Sequence, residues 1–153
     1  MKTMLCAALA AASFGVCAHA ETFTFTSTAT NMAAVVVPGP NNTTRVAGVS
    51  STRGTVVTGG KTIQNTGQCA AWPSLPGDIF QTHGQCTYSD ATGAGYIRFG
   101  CNPGKTAMDA NCVGGIWGTS GAYAGRNGTL AWHDKGSPDG KSGTSEGAGQ
   151  WAD

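Results

Sequence analysis

In this 153-residue chain, Tyr88, Tyr96, Arg98 and His83 form the set best suited to proton transfer and anion binding. His83, Gln85 and Thr87 fall at alternate positions of the stretch Ile79–Ser89, and Phe80, Thr82, Gly84, Cys86 and Tyr88 fall at the others. In a strand those two sets face opposite sides. On the next stretch Tyr96 and Arg98 share one side, opposite Ile97 and Phe99. Gathered at a cavity mouth, a tyrosine or histidine would pass a proton to or from a ligand oxygen. Arg98 would hold a carboxylate or phenolate by a charge-assisted pair. On an outward face the same side chains would cover apolar neighbours and keep their tips in water. Alternation fixes the two sides of each strand, not which of them faces inward.

Trp72, Trp117, Tyr123 and Trp132 supply flat apolar surface. They would wall a cavity for an aromatic or lipid-derived ligand, or fill the core of a small protein. Trp72 stands in a Pro-rich stretch, Cys69–Gly77, which reads as a loop and would make Trp72 a lid or a contact element. Asp90 and Asp109 fall in expected turns, where aspartate bonds its own backbone. There is no G-x-S-x-G elbow and no H-E-x-x-H pair, and the Gly-rich end lacks the lysine of a phosphate loop. No cofactor and no metal is therefore expected.

The elements that must position these residues are strands. From Gly114 to His133 glycines recur every few residues with aromatic and aliphatic residues between them. Each interior glycine costs a helix about 1 kcal/mol relative to alanine, so the stretch reads as two short strands around a glycine turn. Thr22–Thr30 alternates threonine and serine with Phe23 and Phe25. Further strands are expected at Thr44–Ser50, Gly54–Thr58, Lys61–Asn65, Ile79–Ser89 and Tyr96–Cys101, with a hairpin turn at Gly59-Gly60. Past Asp134 the chain turns to Gly, Ser, Lys and Asp and reads as a tail, with Trp151 on a short terminal strand. Short strands with glycine turns argue an all-β barrel or sandwich. The barrel is preferred, because in-strand glycine permits the coiling that closure needs.

Lys2, the apolar run Met4–Val16 and the small-x-small end Ala18-His19-Ala20 read as an export signal over residues 1–20, of bacterial type. A single domain follows over residues 21–134, with the tail over 135–153. The expected address is the periplasm or the exterior. Cys69, Cys86, Cys101 and Cys112 remain after the signal. An even set in an exported chain reads as two disulfides, and no pair has the close spacing of a zinc site. Of the three connectivities, Cys69–Cys86 with Cys101–Cys112 is preferred, since each closes one local loop. Acidic and basic residues nearly balance, at a formal net charge of +1, and no basic cluster exists. Nucleic acid is therefore not an expected partner, nor is a membrane surface once the signal is removed.

The segment from Gly118 to Thr129, G-T-S-G-A-Y-A-G-R-N-G-T, resembles the G-T-G-x-Y-x-G-x-x-G-T pattern of the allene oxide cyclase and dirigent-like barrels, with Ser120 at a common glycine position. The resemblance implies a calycin-type, eight-stranded antiparallel barrel whose apolar cavity holds a phenolic or fatty-acid-derived ligand. It would make the protein a cofactor-free isomerase, cyclase or lyase that acts by constraining its ligand's shape. Two non-catalytic readings stand beside it. One is an envelope binding or structural module, and the other a secreted inhibitor; either admits a homo-oligomer.

Overall fold

The computed structural model describes residues 20–38, 44–106 and 108–152. The expected leader up to His19 lies outside the described residues. Eight strands follow in order: β1 (Thr22–Pro38), β2 (Thr44–Thr58), β3 (Lys61–Pro73), β4 (Thr82–Asp90), β5 (Gly93–Pro103), β6 (Asp109–Gly121), β7 (Asn127–Gly136) and β8 (Ser142–Ala152). Each pairs antiparallel with the next, and β1 pairs with β8, so the sheet closes into a barrel. Closure leaves no sheet edge within the barrel wall. The all-β, eight-stranded antiparallel barrel expected from the sequence is the one observed.

Glycine sets the tight turn between β2 and β3. Gly59 and Gly60 have φ of +52° and +74°, the left-handed pair that a two-residue hairpin twisted like its strands requires. Both disulfides form as preferred, Cys69–Cys86 and Cys101–Cys112. Each joins residues directly opposite one another on neighbouring strands, β3 with β4 and β5 with β6. Loops of this size are expected to contribute about 3 kcal/mol each by constraining the unfolded chain.

Several boundaries differ from the sequence expectation. β2 runs unbroken through Thr52 and Arg53. β3 continues to Pro73, so Cys69–Pro73, expected as loop, is paired strand. β4 begins at Thr82 and leaves Ile79 and Phe80 in the preceding loop. The largest correction is at the end of the chain. Ser142–Ala152 is no tail but a strand paired along its length to both β7 and β1. Its composition suggested too little to bury. The backbone ladder does not need apolar side chains, and the glycines of β8 serve the rings of its neighbours.

Those rings run through the inside of the barrel. Phe99, Trp132, Phe25, Phe23, Trp151, Tyr123 and Tyr88 form one column of contacts, with successive ring centroids 5.3 to 6.5 Å apart. Ile116 and Leu130 complete the buried cluster, with Val56 and Ile97 packed against it. Space for the rings comes from glycine. Phe99 lies opposite Gly84, Phe23 opposite Gly149, Trp132 opposite Gly147 and Tyr88 opposite Gly95. A Cβ at any of these glycines would meet the facing aromatic residue at 2.2 to 2.5 Å.

Gly84→Ala sets its new carbon 2.2 Å from Phe99 Cζ and is expected to cost about 1–3 kcal/mol in urea unfolding. Gly48→Ala, whose added carbon finds nothing nearer than the Ala33 carbonyl oxygen at 3.6 Å, should stay within about 0.5 kcal/mol. Equal midpoints for the two variants would refute the ring-over-glycine packing.

Candidate functional site

The strand faces divide the residues singled out in the sequence. Cys86 and Tyr88 point inward with Gly84, which puts His83, Gln85 and Thr87 outside. On β5, Ile97 and Phe99 are inside, so Tyr96 and Arg98 are outside. On β6 and β7, Ile116, Leu130 and Trp132 are inside, while Trp117 is outside. Tyr123 comes from the β6–β7 turn and is buried against Trp151. Trp72 is on the outer face of β3, directly opposite His83, and is 44% exposed. Of the chemical set, Tyr96, Arg98 and His83 therefore share the exterior and Tyr88 stands apart from them. Of the aromatic set, Trp72 and Trp117 are outside, and Tyr123 and Trp132 belong to the core.

The outer residues form a connected surface. Tyr96 and Trp117 are opposite one another on β5 and β6, with ring centroids 5.2 Å apart and planes within 15°. A Cβ at Gly115 would lie 2.4 Å from the Trp117 ring, so the indole leans down its own strand over that glycine. Arg98 Nε donates to Gln85 Oε1 at 3.1 Å, and its guanidinium carbon lies 5.8 Å from the Tyr96 ring centre. Phe80, outside β4, turns its ring over Gly100 and against His83. His83 Nε2 meets Asp78 Oδ2 at 2.9 Å. Bonds from the Phe80 amide and His83 hold the Asp78 carboxyl below its ordinary range. Between these groups lies an open groove of about 870 Å³, floored by Gly100, Gly115, Ala131 and Ala148 and flanked by Arg98 and Gln150. A second concavity of about 540 Å³, also on the exterior, is lined by Thr26, Thr55, Arg53, His133, Lys135 and Glu146.

Inside, three polar groups stand out. Among the described residues the Tyr88 hydroxyl is buried without a hydrogen-bond partner, and burial pushes its pKa well above the ordinary tyrosine value. It therefore remains protonated at neutral pH. Tyr123 Oη donates to Asp90 Oδ2 at 2.9 Å. Asp90 Oδ1 also accepts from the Thr92 and Gly93 amides, the turn role expected of it. Asp134 was not singled out in the sequence, although it follows Trp132 by two and so shares its inward side. Its carboxylate accepts from Ser145 Oγ at 2.5 Å. Cys101 and Cys112 lie close to it, but as a disulfide they offer no thiolate to a metal.

Burial raises the Asp134 pKa, against the opposing hydrogen bonds from Ser145 and Trp132. The folded value lies above the unfolded one, so the folded state holds the proton more tightly. Its contribution favours folding below the ordinary carboxyl range and is lost as the pH rises through the raised value. Asp134→Asn should accordingly gain stability relative to the parent as the pH goes from about 3.5 to about 7. Thermal melts across that window check the sign, and a constant difference would refute it.

No protein-family model, no curated protein and no solved structure matches this chain, so its site is read from its own geometry.

Proposed function

We propose that this protein is an exported, non-catalytic binding module whose partner engages the outer wall of a filled barrel. One observation carries this reading. The column of seven rings occupies the interior, while outside Arg98 and His83 line an open groove that the Trp117–Tyr96 pair adjoins over Gly115. An eight-stranded barrel has an interior about wide enough for its own side chains. Two cross-strand disulfides fit an oxidising compartment outside the cytoplasm, in keeping with removal of residues 1–20. Trp72 and Trp117 serve as contact residues on this reading, and Tyr123 and Trp132 as core.

A second reading is favoured by the unpaired Tyr88 hydroxyl inside the barrel. A small phenolic or oxidised fatty-acid ligand within the wall would give that hydroxyl a partner, as in a cofactor-free isomerase or cyclase of the allene oxide cyclase and dirigent-like kind. Tyr88 would then position the ligand, and Trp132 would report it by quenching.

Protein recovered from the exterior of an expressing bacterium should begin near Glu21 by mass spectrometry and carry no free thiol. Titrated with phenolics and oxidised fatty acids, it should show no saturable tryptophan quenching and no turnover. Saturable quenching that is lost in Trp132→Phe and kept in Trp117→Phe would overturn the outer-wall reading in favour of the second.

A further inference from the structure

We infer that the outer groove binds a linear acidic glycan, with sugar rings on the Trp117–Tyr96 surface and a sugar carboxylate on Arg98. This rests on the outer-wall reading above and names its ligand class.

The aromatic surface comes first. Trp117 is 37% exposed even though its indole lies over Gly115. Any other residue at Gly115 would lift the ring off the sheet. The Tyr96 ring stacks beside the indole at 5.2 Å with planes within 15° and carries the Arg98 guanidinium, which leaves the exposed part of the indole as the apolar plane. The apolar C–H face of a pyranose gains dispersion contact on such a plane while its hydroxyls stay in water.

Arg98 supplies the charge. Gln85 accepts from its Nε, which leaves the terminal nitrogens of this groove-lining residue for a ligand. Among the described residues no carboxylate pairs with Arg98. The nearby Asp78 carboxylate is engaged by His83 and the Phe80 amide. A single unpaired cation is too little for nucleic acid, which needs several phosphate contacts. It suits one carboxylate held bidentately.

Shape selects a chain over a compact ligand. The groove crosses the strands from β4 to β8, four interstrand spacings, an arc of roughly 19 Å along the curved wall. Its outer lining is mostly small, Gly115, Ala131 and Ala148, with Val113 and the Phe80 ring beside them, a shallow surface unlike the pocket that receives the large anchor of a protein interface. Thr129 and Gln150 along its side carry a hydroxyl and an amide suited to sugar hydroxyls.

The test titrates the processed protein with an oligogalacturonate tetramer and with its neutral methyl ester, read by calorimetry. Saturable binding of the tetramer is expected, with the ester weaker by about tenfold, the scale of one charge-assisted pair. Arg98→Gln should bring tetramer and ester to equal affinity. Trp117→Ala should weaken both by tenfold or more, while circular dichroism and melting temperature show the barrel intact. Should either variant fail to fold, Gln150→Ala, expected to weaken the tetramer severalfold, replaces it. Equal binding of tetramer and ester by the parent would overturn the acidic-ligand inference and leave the outer-wall reading standing. Loss of all sugar binding, with a Trp117-dependent protein complex instead, would overturn the glycan and likewise spare the outer wall. Sugar binding that survives Trp117→Ala and fails in Trp132→Phe would overturn both.

Discussion

A ring laid over a glycine on the neighbouring strand is the contact on which this barrel depends. Phe23 with Gly149, Phe99 with Gly84 and Tyr88 with Gly95 are direct cross-strand partners of this kind, and Trp132 faces Gly147 in a fourth pair through its Cβ. Glycine weakens a strand by its freedom and its missing side chain. A ring over it restores the contact surface and shields the ladder beneath, the aromatic rescue that sheets use at glycine. The same pairing solves the volume problem of a narrow barrel, because large and small residues must alternate around its interior. The two inward disulfides lock the strands β3 to β6 that carry half of these pairs. Their covalent constraint helps a domain whose fully buried apolar core is confined to a few side chains.

Once the interior is filled in this way, the polarity of every strand face is settled. Tyr88 and Phe99 inside force His83, Gln85, Tyr96 and Arg98 outside. The outer wall then repeats the inner device with a different result. Trp117 lies over Gly115, and Phe80 lies over Gly100. Inside, a ring over glycine is covered by the opposite wall. Outside, the rings stay partly exposed, Trp117 with Tyr96 stacked beside it, next to a groove lined largely by small residues.

Much of the fold was legible in the sequence. Period-two alternation, the Gly59-Gly60 turn and paired cysteines led to an all-β barrel with the observed disulfides. The end of the chain was misread for a physical reason. Gly147 and Gly149 on β8 have no apolar side chain to advertise a strand, and their role shows only beside Trp132 and Phe23 of the adjacent strands. Trp72-Pro73 was misread because proline suggested a loop, yet Pro73 sits at the last position of β3. The candidate site was half legible. Tyr96, Arg98 and His83 do share one surface, but alternation is symmetric and could not place it outside. Phe80 was grouped with Tyr88 by counting from Ile79; because β4 begins at Thr82, it turned to the other side.

The division of labour among the aromatics follows from where glycine sits relative to each ring. A glycine directly across the strand pair draws a ring inward over the ladder, as with Phe23 and Gly149. A glycine two positions earlier on the same strand and face draws it flat along the exterior, as with Gly115 and Trp117. The stretch Gly114-Gly115-Ile116-Trp117-Gly118 contains both arrangements: Gly114 faces inward beside Phe99, and Gly115 faces outward beneath Trp117. Consecutive glycines on one strand thus serve opposite surfaces, one making room in the core and the other shaping the groove. A substitution at Gly114 meets the Arg98 carbonyl and the Phe99 Cβ at 2.5 and 3.1 Å and so acts on the fold. A substitution at Gly115 meets only the Trp117 ring among its nearest atoms and so acts on the surface that the ring presents.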